Sequence, residues 1–158
     1  MEHTGAFLLA DGTGTGKGRT MAAIALEYIA VHPDVRIVWV SVNRRLWHDA
    51  NRDVDALRPL PPALEMNWGD VGGDQCLAFM TYHDFSTELA QRCVAWLNNA
   101  PRALILIDEA HTLRHGCFIA EHTLATISEL QSHVHTLYST ATPASAPSHL
   151  RFASRLGL

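Results

Sequence analysis

Apolar residues in this chain occur in two textures. Short continuous runs rich in valine, isoleucine and leucine alternate with stretches in which apolar positions recur every three or four residues. The runs read as strands covered on both faces, and the longer period reads as helix. The pattern predicts strands at Ala6 to Ala10, Val35 to Val42, Cys76 to Tyr82, Ala103 to Ile107 and Val134 to Tyr138. Helices are predicted at Thr20 to Val31, through Leu46, Ala50, Val54 and Leu57, from about Asp84 to Asn98, at Phe118 to Leu130 and at Pro147 to Leu156. Such alternation marks an α/β fold: a three-layer, doubly wound, mostly parallel sheet with helices on both faces.

The pattern also ranks these elements. ALILI at Ala103 to Ile107 is the most apolar run and belongs at the centre of the sheet, while VRIVWVSV at Val35 to Val42 is also interior. The first helix is apolar nearly all round and should be buried against the sheet. The second carries Arg45, Asp49, Arg52 and Asp55 on its other face, a solvated surface with charge pairing. In the third, Phe85, Leu89, Cys93 and Trp96 point inward. Pro59, Pro61 and Pro62 end the second helix, and Leu60 to Gln75 reads as a loop with one weak strand at Leu64 to Asn67.

Composition narrows the class. A chain of 158 residues is one domain, spanning residues 1–158, with room for a real core. Its formal charge of −4 gives no global basic field, so any nucleic-acid contact has to come from local arginines. Cys76, Cys93 and Cys117 are odd in number and sit in apolar or loop settings, which favours a reduced, intracellular compartment over a disulfide framework. No apolar run approaches the roughly twenty residues of a membrane span, and no basic segment leads into a signal core. The expectation is a soluble, cytoplasmic protein with no membrane partner.

Chemistry concentrates in three places. Between the first strand and first helix lies Ala10-Asp11-Gly12-Thr13-Gly14-Thr15-Gly16-Lys17-Gly18-Arg19, holding the only lysine in the chain. Strand, glycine turn, lysine and helix in this order make a phosphate cradle of backbone N–H groups, helix dipole and a compact charge. The strict pattern G-x-x-x-x-G-K-[ST] would place glycine at Asp11 and a hydroxyl at Gly18, where the side chain normally holds magnesium. After the ALILI strand come Asp108, Glu109, Ala110 and His111. Acids at the C-terminal end of a buried strand stand where an open α/β sheet binds its ligand. One carboxylate could hold magnesium and the other the attacking water, or both could be solvated acids capping a strand. Ser139, Thr140, Ala141 and Thr142 leave the next strand as sensors of the terminal phosphate or simply as a hydroxyl-rich strand exit. Ten histidines invite a metal reading, but His111, His115, Cys117 and His122 lack zinc-site spacing. Trp39 and Trp96 sit in core patterns rather than as stacking platforms.

In combination these motifs resemble the first motor domain of superfamily-two helicases. GTGTGKGRT at Gly12 to Thr20, WVSVNRRLWHDANRD at Trp39 to Asp53, Met80-Thr81-Tyr82 and the C-terminal STATPASAP and SRLGL resemble its strawberry notch branch. The resemblance covers nearly the whole chain apart from residues 60 to 75. It implies a RecA-like, ATP-binding and ATP-hydrolysing lobe of a DNA- or RNA-dependent translocase that uses Mg2+. Lys17 would contact the β and γ phosphates. Gly12, Gly14 and Gly16 would let the backbone approach, within a binding loop that includes Thr13, Thr15, Gly18 and Arg19. Asp108 would hold the metal and Glu109 would be the catalytic base. His111, Ser139, Thr140 and Thr142 would couple nucleotide state to the nucleic-acid face. Ser41, Asn43, Arg44, Arg45, Thr81 and Tyr82 fall where such motors touch the nucleic-acid backbone, although the two arginines read equally as surface charge.

Departures from the family pattern shape the expectation. With glycine at position 18, Asp108 and waters would carry the ion, helped by Thr15. Little precedes the first strand, and the chain stops where a second RecA-like lobe would begin. That lobe, in cis or in trans, would complete the motor. Alone, the chain would bind nucleotide, hydrolyse it very weakly and unwind nothing. A truncated nucleotide- or partner-binding module and a small-molecule P-loop kinase are the competing readings. The D-E-A-H tetrad and the lack of an arginine-rich lid argue against the kinase.

Overall fold

A computed structural model of the chain describes residues 5–57, 67–68, 71, 76–114, 117–142 and 147–156. The apolar runs become β1 (Ala6–Leu9), β2 (Val35–Ser41), β3 (Asn67–Trp68), β4 (Leu77–Thr81), β5 (Arg102–Ile107) and β6 (Val134–Ser139). Helices α1 (Lys17–Val31), α2 (Leu46–Ala56), α3 (Glu88–Asn98) and α4 (Phe118–Ser128) alternate with them. One six-stranded sheet results, ordered β1-β6-β5-β2-β4-β3, and every ladder among the described residues is parallel. The ALILI run is central, flanked by β6 and β2.

Period-two alternation explains why the strands read as continuous apolar runs. Ile37, Trp39, Leu104 and Leu106 face a core shared with Met21, Ala25 and Val54 from α1 and α2. Their neighbours Val38, Val40, Ile105 and Ile107 face a second core with Phe85, Trp96, Ile127 and Phe152. Both faces of the central strands β2 and β5 are covered, which keeps positions 37–40 and 103–107 apolar.

Several elements differ from the sequence expectation, each for a local reason. The first helix begins at Lys17 rather than Thr20, because Gly16 takes a left-handed conformation and turns the chain into the helix at once. It is not buried all round: Met21, Ala22, Ala25 and Leu26 are buried, whereas Val31 is 59% exposed. The helix expected from Asp84 divides into a 3-10 turn at Asp84–Ser86 and α3 proper. Asp84 Oδ2 accepts hydrogen bonds from Thr81 N (2.8 Å) and Thr81 Oγ1 (2.7 Å), and this competes with helix continuation. Thr87 then caps α3 by accepting from Leu89 N at 3.3 Å. The weak strand expected at Leu64 to Asn67 is represented by β3, with residues 64–66 outside the described residues. So are Pro59, Pro61 and Pro62.

The closing segment Pro147–Leu156 is a 3-10 stretch kinked at Ala153 rather than a regular helix. Arg155 explains its path. The guanidinium donates to Leu130 O (2.8 Å), Gln131 O (2.9 Å) and Val134 O (2.7 Å), tying the segment to the turn before β6. Phe152 meets Tyr138 edge-on at 5.8 Å between ring centroids. Arg155 of the SRLGL signature thus has a structural duty. Replacing Arg155 with Met keeps the aliphatic stem and removes all these donors. Hydrogen bonds to a charged group are each worth about 1.5–3 kcal/mol. A net loss equal to only one of these three bonds, about 2 kcal/mol, lowers the melting temperature by about 4–8 °C, measurable by calorimetry.

Candidate functional site

The loop from β1 to α1 is built on two left-handed glycines, Gly14 (φ 75°) and Gly16 (φ 84°). A Cβ at either would meet no atom within 4 Å, so glycine is required there for backbone conformation rather than space. Lys17 folds back over the loop, and its Nζ donates to Gly12 O (2.6 Å) and Asp11 O (3.0 Å). An ammonium held only by exposed carbonyls is available to a stronger acceptor. Thr15 Oγ1 donates to Gly12 O at 2.8 Å.

Across from the loop, Asp108 directly follows β5. Ser41 Oγ donates to Asp108 Oδ2 (2.9 Å), and the Glu109 N–H donates to Oδ1 (3.0 Å). Tyr82 donates its hydroxyl to the Asp108 carbonyl at 2.5 Å. Burial pushes the Asp108 carboxyl above the usual carboxylate range, with the Ser41 hydrogen bond opposing. Glu109 adopts φ 51°, the only left-handed non-glycine among the described residues. Such a backbone costs about 1–3 kcal/mol and marks sites where geometry outranks stability. Thr112 holds it there, donating from N (3.0 Å) and Oγ1 (2.9 Å) to Glu109 O.

His111 connects this acid to the strand exit of β6. Its Nδ1 lies 3.1 Å from Glu109 Oε2 and 3.2 Å from Thr140 Oγ1, and Thr142 N donates to the same hydroxyl at 3.2 Å. One ring nitrogen faces two partners, so its proton decides which one it engages. Ser139 is fully buried, and its Oγ is without a hydrogen-bond partner.

A cavity of about 430 Å³ joins these parts, with Lys17 and Gly18 on one side and Asp108 and Glu109 on another. Of the remaining loop residues, Gly14 and Gly16 line it, whereas Gly12, Thr13, Thr15 and Arg19 do not. With its hydroxyl committed to Gly12, Thr15 is not placed to assist an ion in the cavity. The expected nucleic-acid residues divide into two groups. Asn43, Arg44 and Arg45 are exposed at the turn entering α2. Ser41, Thr81 and Tyr82 are buried, with their hydroxyls committed to Asp108, Asp84 and Asp108 respectively. Their hydroxyls are thus engaged within the chain, and Tyr82 also lines a second pocket with Val42, His83 and Ile119.

The profile of the family described as P-loop containing NTP hydrolase pore-1 matches residues 2–158. The chain belongs to this family. Protein strawberry notch homolog 2 of Homo sapiens is 28% identical over 167 residues, covering 96% of this chain and 12% of that protein. Protein FORGETTER 1 of Arabidopsis thaliana is 28% identical over 176 residues, covering 96% and 13%. Protein strawberry notch of Drosophila melanogaster is 28% identical over 180 residues, covering 96% and 11%. The chain thus corresponds to a small part of these relatives. Among solved structures, the Sulfolobus solfataricus SWI2/SNF2 ATPase core in complex with dsDNA aligns with TM-score 0.67 and 17% identity over 94% of this chain and 31% of that one. The Pyrococcus furiosus Hef helicase domain aligns with TM-score 0.65 and 19% identity over 99% and 34%. These likenesses establish the fold of a RecA-like helicase lobe, and a P-loop NTPase fold implies nucleotide binding.

Such nucleotides typically come with Mg2+, and the residues present fit that ion. Asp108 is a partly buried carboxylate, and Glu109 Oε2, 3.1 Å from His111 Nδ1, is also shielded from solvent. Both are hard oxygen donors. Among the described residues no three His, Cys, Asp or Glu side chains group closely enough to hold a metal by themselves. That suits Mg2+, which keeps waters and relies on substrate phosphates beside one or two carboxylates.

Asp53 is a cavity residue that sequence reasoning missed, and Asp49 and Arg52, read as solvated surface, line the cavity with it. The α2 charges read as a solvated face, yet Asp53 lines the cavity, and its Oδ2 lies 2.5 Å from where a Cβ on Gly18 would stand. No spacing rule links positions that far apart in sequence.

Removing the charge at position 108 tests the burial cost. The folded carboxyl titrates above its unfolded value, so its ionised form destabilises the fold, increasingly as pH rises through that range. Asp108→Asn therefore raises the melting temperature of the nucleotide- and cation-free chain at pH 7, measurable by calorimetry. The gain shrinks as pH falls and the native carboxyl protonates.

Proposed function

We propose that this chain is the ATP-binding and ATP-hydrolysing first lobe of a DNA- or RNA-dependent, helicase-like translocase. The observation that carries the reading is the single cavity in which the chain's only lysine faces two strand-end carboxylates. Lys17 exchanges its loop carbonyls for the β and γ phosphates, and the N–H groups of the glycine loop surround them. Bound Mg2+ would neutralise charge on those phosphates and be held from the protein side by Asp108. Glu109 takes the proton of the water that attacks the γ-phosphorus as the bond to the ADP oxygen breaks. Its strained backbone fixes the carboxylate for that step. His111 reports the state of Glu109 to Thr140 and Thr142. Asn43, Arg44 and Arg45 offer polar and cationic groups to a nucleic-acid backbone.

The nucleic-acid part draws support from solved structures of the same fold. One is the SWI2/SNF2 ATPase core in complex with dsDNA, and another is the DUF1998 helicase MrfA bound to DNA, with TM-score 0.63 and 15% identity over 97% of this chain and 24% of that one. A second RecA-like lobe, in cis or in trans, completes the motor in this reading.

The deciding measurement is ATP turnover with and without single-stranded DNA, duplex DNA and RNA. Stimulation by any of the three supports the motor. Binding without turnover selects a module, and phosphorylation of an added metabolite selects a kinase. In the same assay Lys17→Ala weakens ATP binding about tenfold or more, a loss of at least 1.4 kcal/mol. Glu109→Gln keeps ATP affinity and lowers turnover about a hundredfold or more, the usual contribution of a general base.

A further inference from the structure

Gly18 is the position at which a P-loop ordinarily offers a hydroxyl, and here the space for a side chain is already filled. A Cβ at Gly18 would come within 2.5 Å of Asp53 Oδ2 and 3.7 Å of its Cγ. Real Cβ atoms do not approach an oxygen so closely, so one of the two residues has to yield. The carboxylate also lies toward two arginines. Arg19 Nε and Arg52 both approach Asp53 Oδ1, at 4.0 and 3.9 Å, and Arg52 also pairs with Asp49 at 2.9 Å. The two arginine side chains are 61% and 66% exposed, whereas that of Asp53 is 16% exposed. Cations therefore sit at the rim, one carboxylate oxygen faces them, and the other points at Gly18 beside the cavity that holds Lys17, Asp108 and Glu109.

We propose that Asp53 supplies the oxygen that position 18 lacks, binding through water the divalent cation of a bound nucleotide. Gly18 and Asp53 are then one functional unit split between two helices. Glycine at 18 is the condition for the carboxylate to enter, and Arg19 and Arg52 lie on the side of its other oxygen. A water-mediated role agrees with the absence, among the described residues, of a protein-only metal cluster. Outer-sphere partners of this kind tune metal affinity by about 10- to 100-fold. The inference rests on the reading of the cavity as a nucleotide site.

Two titrations of the full chain separate the ideas. ADP binding is measured in EDTA, and Mn2+ binding to the ADP complex is followed by electron paramagnetic resonance. Asp53→Asn is expected to leave ADP affinity in EDTA unchanged and to weaken Mn2+ binding about tenfold. Gly18→Ser alone collides with Asp53 and weakens Mn2+ binding too. Combining Gly18→Ser with Asp53→Ala returns a hydroxyl to the vacated space and restores Mn2+ affinity that Asp53→Ala alone has lost. Unchanged Mn2+ affinity in Asp53→Asn overturns the proposal. So does a double variant that melts like the parent chain yet binds Mn2+ no better than Asp53→Ala. If the parent chain binds no ADP in either condition, the nucleotide reading itself falls. ADP binding with an indifferent Asp53 removes only the present inference.

Discussion

A carboxylate can be carried to the edge of a protein interior only if other groups meet it there, and Asp108 is where this fold concentrates that demand. Parallel pairing brings the C-terminal ends of β2, β4 and β5 level, with Val40 opposite Ile107 and Ser41 opposite Thr81. Hydroxyls from two neighbouring strand ends can then close on one acid: Ser41 on the carboxylate and Tyr82 on the carbonyl. Thr81, the ladder partner of Ser41, bonds instead to Asp84 and starts the turn that leads to α3. The polar line from Asp84 to Asp108 is thus a product of strand register. A one-residue slip would point every one of these side chains to the opposite face.

Register of this kind is what the sequence does not spell out. Continuous apolar runs identified the strands and the central place of ALILI, because burial on both faces leaves an unmistakable composition. The glycine loop and the paired acids were legible for a different reason: each is a local string whose chemistry needs adjacent residues. Ser41 and Tyr82 were legible as polar residues at strand ends, but not in their direction, which depends on pairing partners far along the chain. Asp53 was hidden more deeply. On a helix whose charges look like ordinary surface pairs, only the packing of α2 beside α1 reveals that one of them fills a glycine's empty side-chain space.

Local rules break where the chemistry gathers. Glu109 has a backbone suited to glycine, Asp108 is an acid raised by burial, and Ser139 keeps a buried hydroxyl with no partner. These are the places where a chain shaped for stability alone would differ. Stability is supplied elsewhere, by two cores packed against opposite faces of the sheet and by Arg155 pinning the last segment to the turn before β6.

Strand order has a consequence for how firmly the two halves of the site are held. The acids hang from β5, laddered on both sides, whereas the glycine loop hangs from β1, a four-residue strand paired only with β6 among the described residues. Local opening draws on the ladder bonds that must break, so amide exchange should be fast along β1 and the loop and slow along β5. The cavity then has one wall set in the rigid heart of the sheet and one on a hinge of low local stability. Binding in it would be read out most strongly as protection of the loose wall, and the fold has placed its only lysine on that side.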